Sequence, residues 1–196
     1  MTNITRLNKI KGNLDHFIAS SVSMMLLTAV FSSAQASTDD LLPGPLTPII
    51  ATGQWLNSPP LTSEALRGNV VLVDFWTYSC SNCLNALPYV KAWNEKYRAQ
   101  GLVVIGVHTP EFPEEMNQQN IEQAIKRLGV TYPVVLDNQY KIWNAYANKF
   151  WPAQYLIDAQ GQPRYQHYGE GSYQEIEFKI QELLNEAKQG MSSNKR

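Results

Sequence analysis

NVVLVDFWTYSCSNC, residues 69–83, packs the signals for a strand, a turn and a helix start into fifteen positions. Val70 to Phe75 is β-branched and apolar over the length of a strand, with one acid, Asp74, set inside it. Leu84, Leu87, Val90, Trp93 and Tyr97 then recur at helical spacing, which places Cys80 and Cys83 where the helix begins. Residues i and i+3 share a helix face with Cβ atoms roughly 5–6 Å apart, so this pair can form and open a disulfide with little backbone movement. A helix start also presents unpaired N–H groups and the positive end of the helix dipole, and both favour a thiolate. Cys80, at the exposed tip, is therefore the expected nucleophile, with a pKa below that of a free thiol. Cys83, one turn in and better shielded, is the expected resolving thiol. Exchange would run through a mixed disulfide on Cys80 that Cys83 then displaces.

A purely structural disulfide is the competing reading. A loop this short gains only roughly 2 kcal/mol in the chain-entropy model, and a domain of this size can bury a sufficient core without it. Asp74 favours the redox reading. A carboxylate in a buried strand is costly unless neutral or paired, and this one lies six residues before Cys80, below the expected helix start. With a raised pKa, Asp74 would exchange a proton with Cys83 during resolution; its alternative is a strand-end Asp that bonds a loop.

The segment VDFWTYSCSNC resembles the active site of the thioredoxin superfamily. The longer run through GLVVIGVHTPEF, ending at Phe112, is similar to the TlpA-like branch, especially the periplasmic thioredoxin-like domains at the C-terminal end of DipZ-type proteins. The likeness extends from about Gln54 to the end of the chain. It implies an α/β, thioredoxin-like fold: a central mixed β-sheet flanked by helices, here with a short N-terminal strand extension. It also implies that Cys80 is the nucleophile, Cys83 the resolving thiol and Asp74 the proton relay. A cis-proline should face the pair, and Pro152, after Trp151 and just before the apolar run Tyr155 to Ile157, stands at its position. The dipeptide between the cysteines is Ser81-Asn82, neither the Gly-Pro of thioredoxins nor the Pro-His of strong oxidants, which leaves the direction of electron flow open.

The chain of 196 residues is 44% hydrophobic, which suits one globular domain with something added. The addition is in front. Arg6, Lys9 and Lys11 precede an apolar stretch from Phe17 to Phe31, and Ala34-Gln35-Ala36 follows as a small-x-small site, the pattern of a cleaved signal peptide over 1–36. The stretch falls short of the ~20 residues of a membrane span, though an uncleaved anchor stays open. The same reading gives a linker over 37–52, the thioredoxin-like domain over 53–190 and a flexible tail over 191–196. The cysteines then sit in an exported, periplasmic or otherwise extracytoplasmic chain, where disulfide chemistry persists. The formal charge is −1, and removing Arg6, Lys9, Lys11 and Asp15 with the leader leaves −3, too acidic for a nucleic-acid surface.

Pro88 lies inside the helix that follows Cys80, where it should kink it, and Gly101 should end that helix. Glu114 and Glu115 are expected in the first turn of one continuous helix to Leu128; a sharper alternative makes this loop a partner-selecting border of the active site. Asp137-Asn138 should cap a short helix from Gln139 to Ala147. Trp151 and Pro152, with Trp76 at the strand end, form the expected docking wall for a partner peptide. A capping box at Ser172-Tyr173-Gln174-Glu175 opens the last helix, expected to reach about Lys188.

Two other function classes compete. Thr77-Tyr78-Ser79-Cys80 fits the Thr-x-x-Cys element of peroxiredoxin-type peroxidases, but the proline four residues before the threonine is here Val73. A copper or other metal module would use Cys80 and Cys83, yet His108 and His167 are far apart in sequence and each is expected in a partly exposed position. No flavin or nicotinamide fingerprint is present, so no cofactor is expected beyond the redox-active disulfide Cys80–Cys83. Electrons should come from, or go to, a membrane-embedded partner, with thiol or disulfide proteins as clients and the chain itself a monomer.

Overall fold

The computed structural model describes residues 46–51 and 53–193. The expected leader, the first nine residues of the expected linker and the last three residues of the chain lie outside the described residues. At the centre is β2 (Val70–Trp76), buried at every position. Beside it run β3 (Leu102–His108), parallel, and β5 (Ala153–Ile157), antiparallel. β4 (Val134–Leu136) and β1 (Gln54–Leu56) extend the sheet on one side and β6 (Pro163–Tyr168) on the other, in the order β1-β4-β3-β2-β5-β6. The β1–β4 and β5–β6 pairs are antiparallel and β3–β4 is parallel, so the sheet is mixed and the fold thioredoxin-like.

Continuous apolar strands of this kind form where both sheet faces are covered. Strand alternation sends Val70, Leu72, Asp74 and Trp76 to one face and Val71, Val73 and Phe75 to the other. The first face is packed by Leu87, Val90, Trp93 and Tyr97 of α3 (Ser81–Tyr97), by Ile121 and Ile125 of α4 (Gln118–Leu128), and by Ile176, Ile180 and Leu183 of α6 (Tyr173–Ser193). The second is packed by Leu46 and Ile49 of α1 (Leu46–Ala51), Leu66 of α2 (Ser63–Leu66), and Ile142 and Trp143 of α5 (Lys141–Ala145).

Four local expectations change. Residues 46–51 are a helix rather than linker: Leu46 and Ile49, three apart, are fully buried, and Pro48 sits in the first turn, where its missing N–H is tolerated. The expected helix from Glu114 is two pieces. A 3-10 turn, Pro113–Met116, ends at the extended residue Asn117, whose side chain accepts from the Gln119 and Asn120 N–H groups and starts α4. The helix expected from Gln139 to Ala147 shortens to α5, because the Asp137 carboxylate accepts from Ile142 and Trp143 N–H and so fixes its start later. The last helix continues to Ser193; Gly190 lowers its propensity by about 1 kcal/mol without stopping it.

Candidate active site

The chain leaves β2, turns through Thr77, Tyr78 and Ser79, and enters α3 with Cys80 as its N-cap. The Cys80 Sγ accepts from the Cys83 N–H at 3.2 Å, so the first sulfur lies directly against the helix start. The two cysteines form a disulfide with Cα atoms 5.2 Å apart. Cys83 is only 3% exposed, while Cys80 is partly exposed at the rim of the core. An incoming thiolate or disulfide can therefore reach Cys80 and not Cys83.

Asp74 lies in the middle of β2, in register with Gly106 of β3 and Gln154 of β5. Gln154 Nε2 donates to Asp74 Oδ1 at 2.9 Å. Burial pushes the Asp74 carboxyl up to about 7, against the Gln154 hydrogen bond, which pulls it down. Tyr132 belongs to the same patch: burial, and then the charge of Asp74, push its hydroxyl well above the ordinary value. Among the described residues the Tyr132 hydroxyl, the Trp76 Nε1 and the Gln154 Oε1 are buried without a protein hydrogen-bond partner, so the patch has spare donors and an acceptor on the face beneath α3. Gly106 makes room for it. A Cβ there would stand 2.9 Å from Trp76 Nε1 and 3.1 Å from Tyr132 Cε2.

The Trp151-Pro152 peptide bond is cis. The Pro152 carbonyl accepts from Gly169 N–H at 2.8 Å, and the Trp151 indole donates to the Thr109 carbonyl at 3.0 Å while its ring packs 4.0 Å from Trp143. Thr109 N–H in turn donates to the Trp76 carbonyl, which ties this wall to the end of β2. Trp151 is partly buried on the same core rim as Cys80. Trp76 is not part of any docking wall: at 2% exposure it is core, because alternation from Asp74 turns it under α3.

A second polar group beside the cysteines was not legible in the sequence. His108, expected to be partly exposed, is fully buried as the last residue of β3, because β2 and β4 flank that strand to its end. Its Nε2 lies 3.3 Å from the Thr77 hydroxyl, and its ring stacks on Tyr78. Burial pushes its pKa down to about 4, so the imidazole is neutral at pH 7. Glu115, expected on a solvated first turn, is fully buried and accepts from the Ser79 hydroxyl and from the N–H groups of Glu111 and Phe112. The sequence offers nothing to separate Glu115 from its exposed neighbour Glu114. Gln154 did leave a trace, as the polar residue inside the apolar run AQYLI. Among the described residues no group of three or more His, Cys, Asp or Glu side chains could hold a metal ion.

Residues 54–166 match the family model for the AhpC/TSA family. Over 140 residues the chain is 49% identical to Protein DipZ of Mycobacterium bovis, a match covering 70% of this chain and 20% of that protein. The chain thus spans about a fifth of the length of that relative. Thiol-disulfide oxidoreductase YkuV of Bacillus subtilis is 27% identical over 142 residues, covering 72% of this chain and 95% of YkuV. Among solved structures, the solution structure of a thioredoxin-like protein in the oxidized form superposes with a TM-score of 0.62 at 30% identity, covering 69% of this chain and 92% of that one.

Proposed function

The chain belongs to the AhpC/TSA family, and from that premise we propose that it is an exported thiol-disulfide oxidoreductase that exchanges Cys80–Cys83 with partner proteins. The observation that carries this reading is the disulfide at the start of α3, with one sulfur reachable, the other buried, and Asp74 held near neutrality in the strand below. In the reducing direction, the Cys80 thiolate attacks a partner disulfide, a mixed disulfide forms, and the partner's first sulfur leaves and takes a proton from solvent. The Cys83 thiol then gives its proton to the Asp74 carboxylate and attacks Cys80 Sγ. The partner's second sulfur departs and takes that proton from Asp74, directly or through water, so the partner has gained two electrons and two protons, Asp74 is a carboxylate again and the Cys80–Cys83 disulfide is left. A raised pKa suits Asp74 to both halves of this transfer near pH 7. Trp151, Pro152 and the backbone after them line the partner's approach, and the partner pairs with them in strand-like fashion. The thiols are renewed by a membrane-embedded donor. The basic and apolar residues at the front of the sequence and the similarity to DipZ support a site of action outside the cytoplasm.

The reduction potential of the pair, measured by equilibration in graded thiol buffers with free thiols counted by mass, tests the reading. A value near −270 mV makes the protein a reductant and one near −120 mV an oxidant, on the scale of about −270 to −120 mV that such proteins span. A pair locked in one state across that range is structural, and the proposal falls. Asp74→Asn should slow resolution of a trapped mixed disulfide on the order of 10²-fold at pH 7, the low end of what a positioned acid or base contributes. Equal resolution rates would remove Asp74 from the mechanism.

A further inference from the structure

Glu115 is a buried acid that the exchange reaction does not use. It is 0% exposed, and each of its oxygens is occupied. The Ser79 hydroxyl donates to Oε1; the Glu111 and Phe112 N–H groups donate to Oε2 at 2.6 and 3.1 Å. Burial alone would raise its pKa, but the hydrogen bonds from Ser79, Thr77 and these two N–H groups outweigh it and hold the group below the usual carboxylate range. Glu115 is therefore an anion at pH 7.

That charge has no counter-ion among the described residues: no Lys, Arg or His of theirs forms an ion pair with it. The titratable groups around it are the neutral His108 from β3, Tyr78 from the turn before Cys80, and Tyr140 from the start of α5, with Glu111, Glu114 and Asp137 as further acids. Beyond burial, the Glu115 charge pushes both tyrosine hydroxyls up. Arg127 is the cation whose field reaches Tyr78, and it acts there more weakly than Glu115. One of the hydrogen bonds to this anion comes from Ser79, the residue before the nucleophile.

We propose that Glu115 is a positioning residue whose fixed negative charge opposes the thiolate on Cys80 and so poises the pair toward the reducing side. Two fields meet at that sulfur. The start of α3 stabilises the thiolate, and the carboxylate behind Ser79 destabilises it. A less stable thiolate is a less stable reduced form, and the disulfide is favoured in consequence, the reverse of what makes a strong oxidant. The inference rests on the exchange reaction proposed above.

The test uses Glu115→Gln in the full chain, which keeps the volume and an acceptor for Ser79 and removes the charge. Two readings are taken: the Cys80 thiolate pKa from the pH dependence of alkylation, and the dithiol–disulfide equilibrium at pH 8. The Cys80 pKa should fall by about 0.5–1 unit, and the equilibrium should move roughly three- to ten-fold toward the dithiol, tenfold being about 30 mV. Glu115→Asp, which restores the charge, should move both back toward the parent. Glu114→Gln, which removes an exposed neighbouring charge, should leave both in place, since solvent screens it. If the Gln variant does not fold, Glu115→Met supplies the uncharged side chain. Parent values in a folded uncharged variant overturn the inference, as does failure of both variants to fold, which assigns Glu115 to folding alone. A parent pair that never titrates overturns the exchange reaction itself, a distinct result.

Discussion

Gly106 stands between Asp74 and Val134 in the register of the sheet, where any side chain would run into Trp76 and Tyr132. Gly106→Ala should therefore cost about 1–3 kcal/mol, the usual penalty for overpacking a filled core. A lowered urea midpoint with an unchanged slope is the expected reading; an unchanged midpoint would mean that the Trp76 and Tyr132 rings have slack. Cys80, Cys83 and Asp74 were legible because a thiol pair at i, i+3 and an acid inside an apolar strand are rare patterns with few physical explanations. Trp76 is harder to place, since an aromatic at a strand end looks the same whether it faces core or solvent; alternation from Asp74 puts it on the core face, where it is buried. Glu115 and His108 were hidden, because their burial depends on a loop folding back over residues far away in sequence, and neither residue type announces that.

Among the elements, the four inner strands could be read in advance, because β2, β3, β4 and β5 are largely apolar runs bounded by turn residues. α1 could not. Six residues are too few to display a helical period, and the Pro and Gly content around them carries the signature of a linker. Its contribution is nonetheless testable. Ile49 is fully buried against the second sheet face, so Ile49→Ala should cost about 2–5 kcal/mol, as large-to-small core changes do. Denaturation in urea measures it; a change below about 0.5 kcal/mol is what a solvent-exposed linker would give and would detach α1 from the core.

At the scale of the whole molecule, two buried groups act on stability in opposite directions. Asp74 has a pKa of about 7 in the fold against an ordinary 3.8. Between those values the folded protein keeps a proton that the unfolded chain has lost, so stability falls as pH rises, by roughly 4 kcal/mol across the window. His108 sits near 4 against an ordinary 6.5. There the unfolded chain holds the extra proton, so stability falls as pH drops, by roughly 3 kcal/mol. The slopes oppose one another between pH 5 and 6.5, and the urea midpoint of the parent should be nearly flat over that interval. Asp74→Asn removes one slope: the variant should lose about 2 kcal/mol on going from pH 6.5 to 5 and be more stable than the parent at pH 8. A steep parent and a flat variant would be the contrary result. The strand order has a consequence of a different kind. The sheet ends in β1, three residues long, and in β6, which opens with Pro163 and carries Arg164, held by Asp158 at 3.1 Å and Glu186 at 2.8 Å. One border is too short to template a neighbour, and the other begins with a residue that cannot donate and a charge that resists stacking. Copies of this chain are thereby discouraged from joining edge to edge into aggregates, even at high concentration.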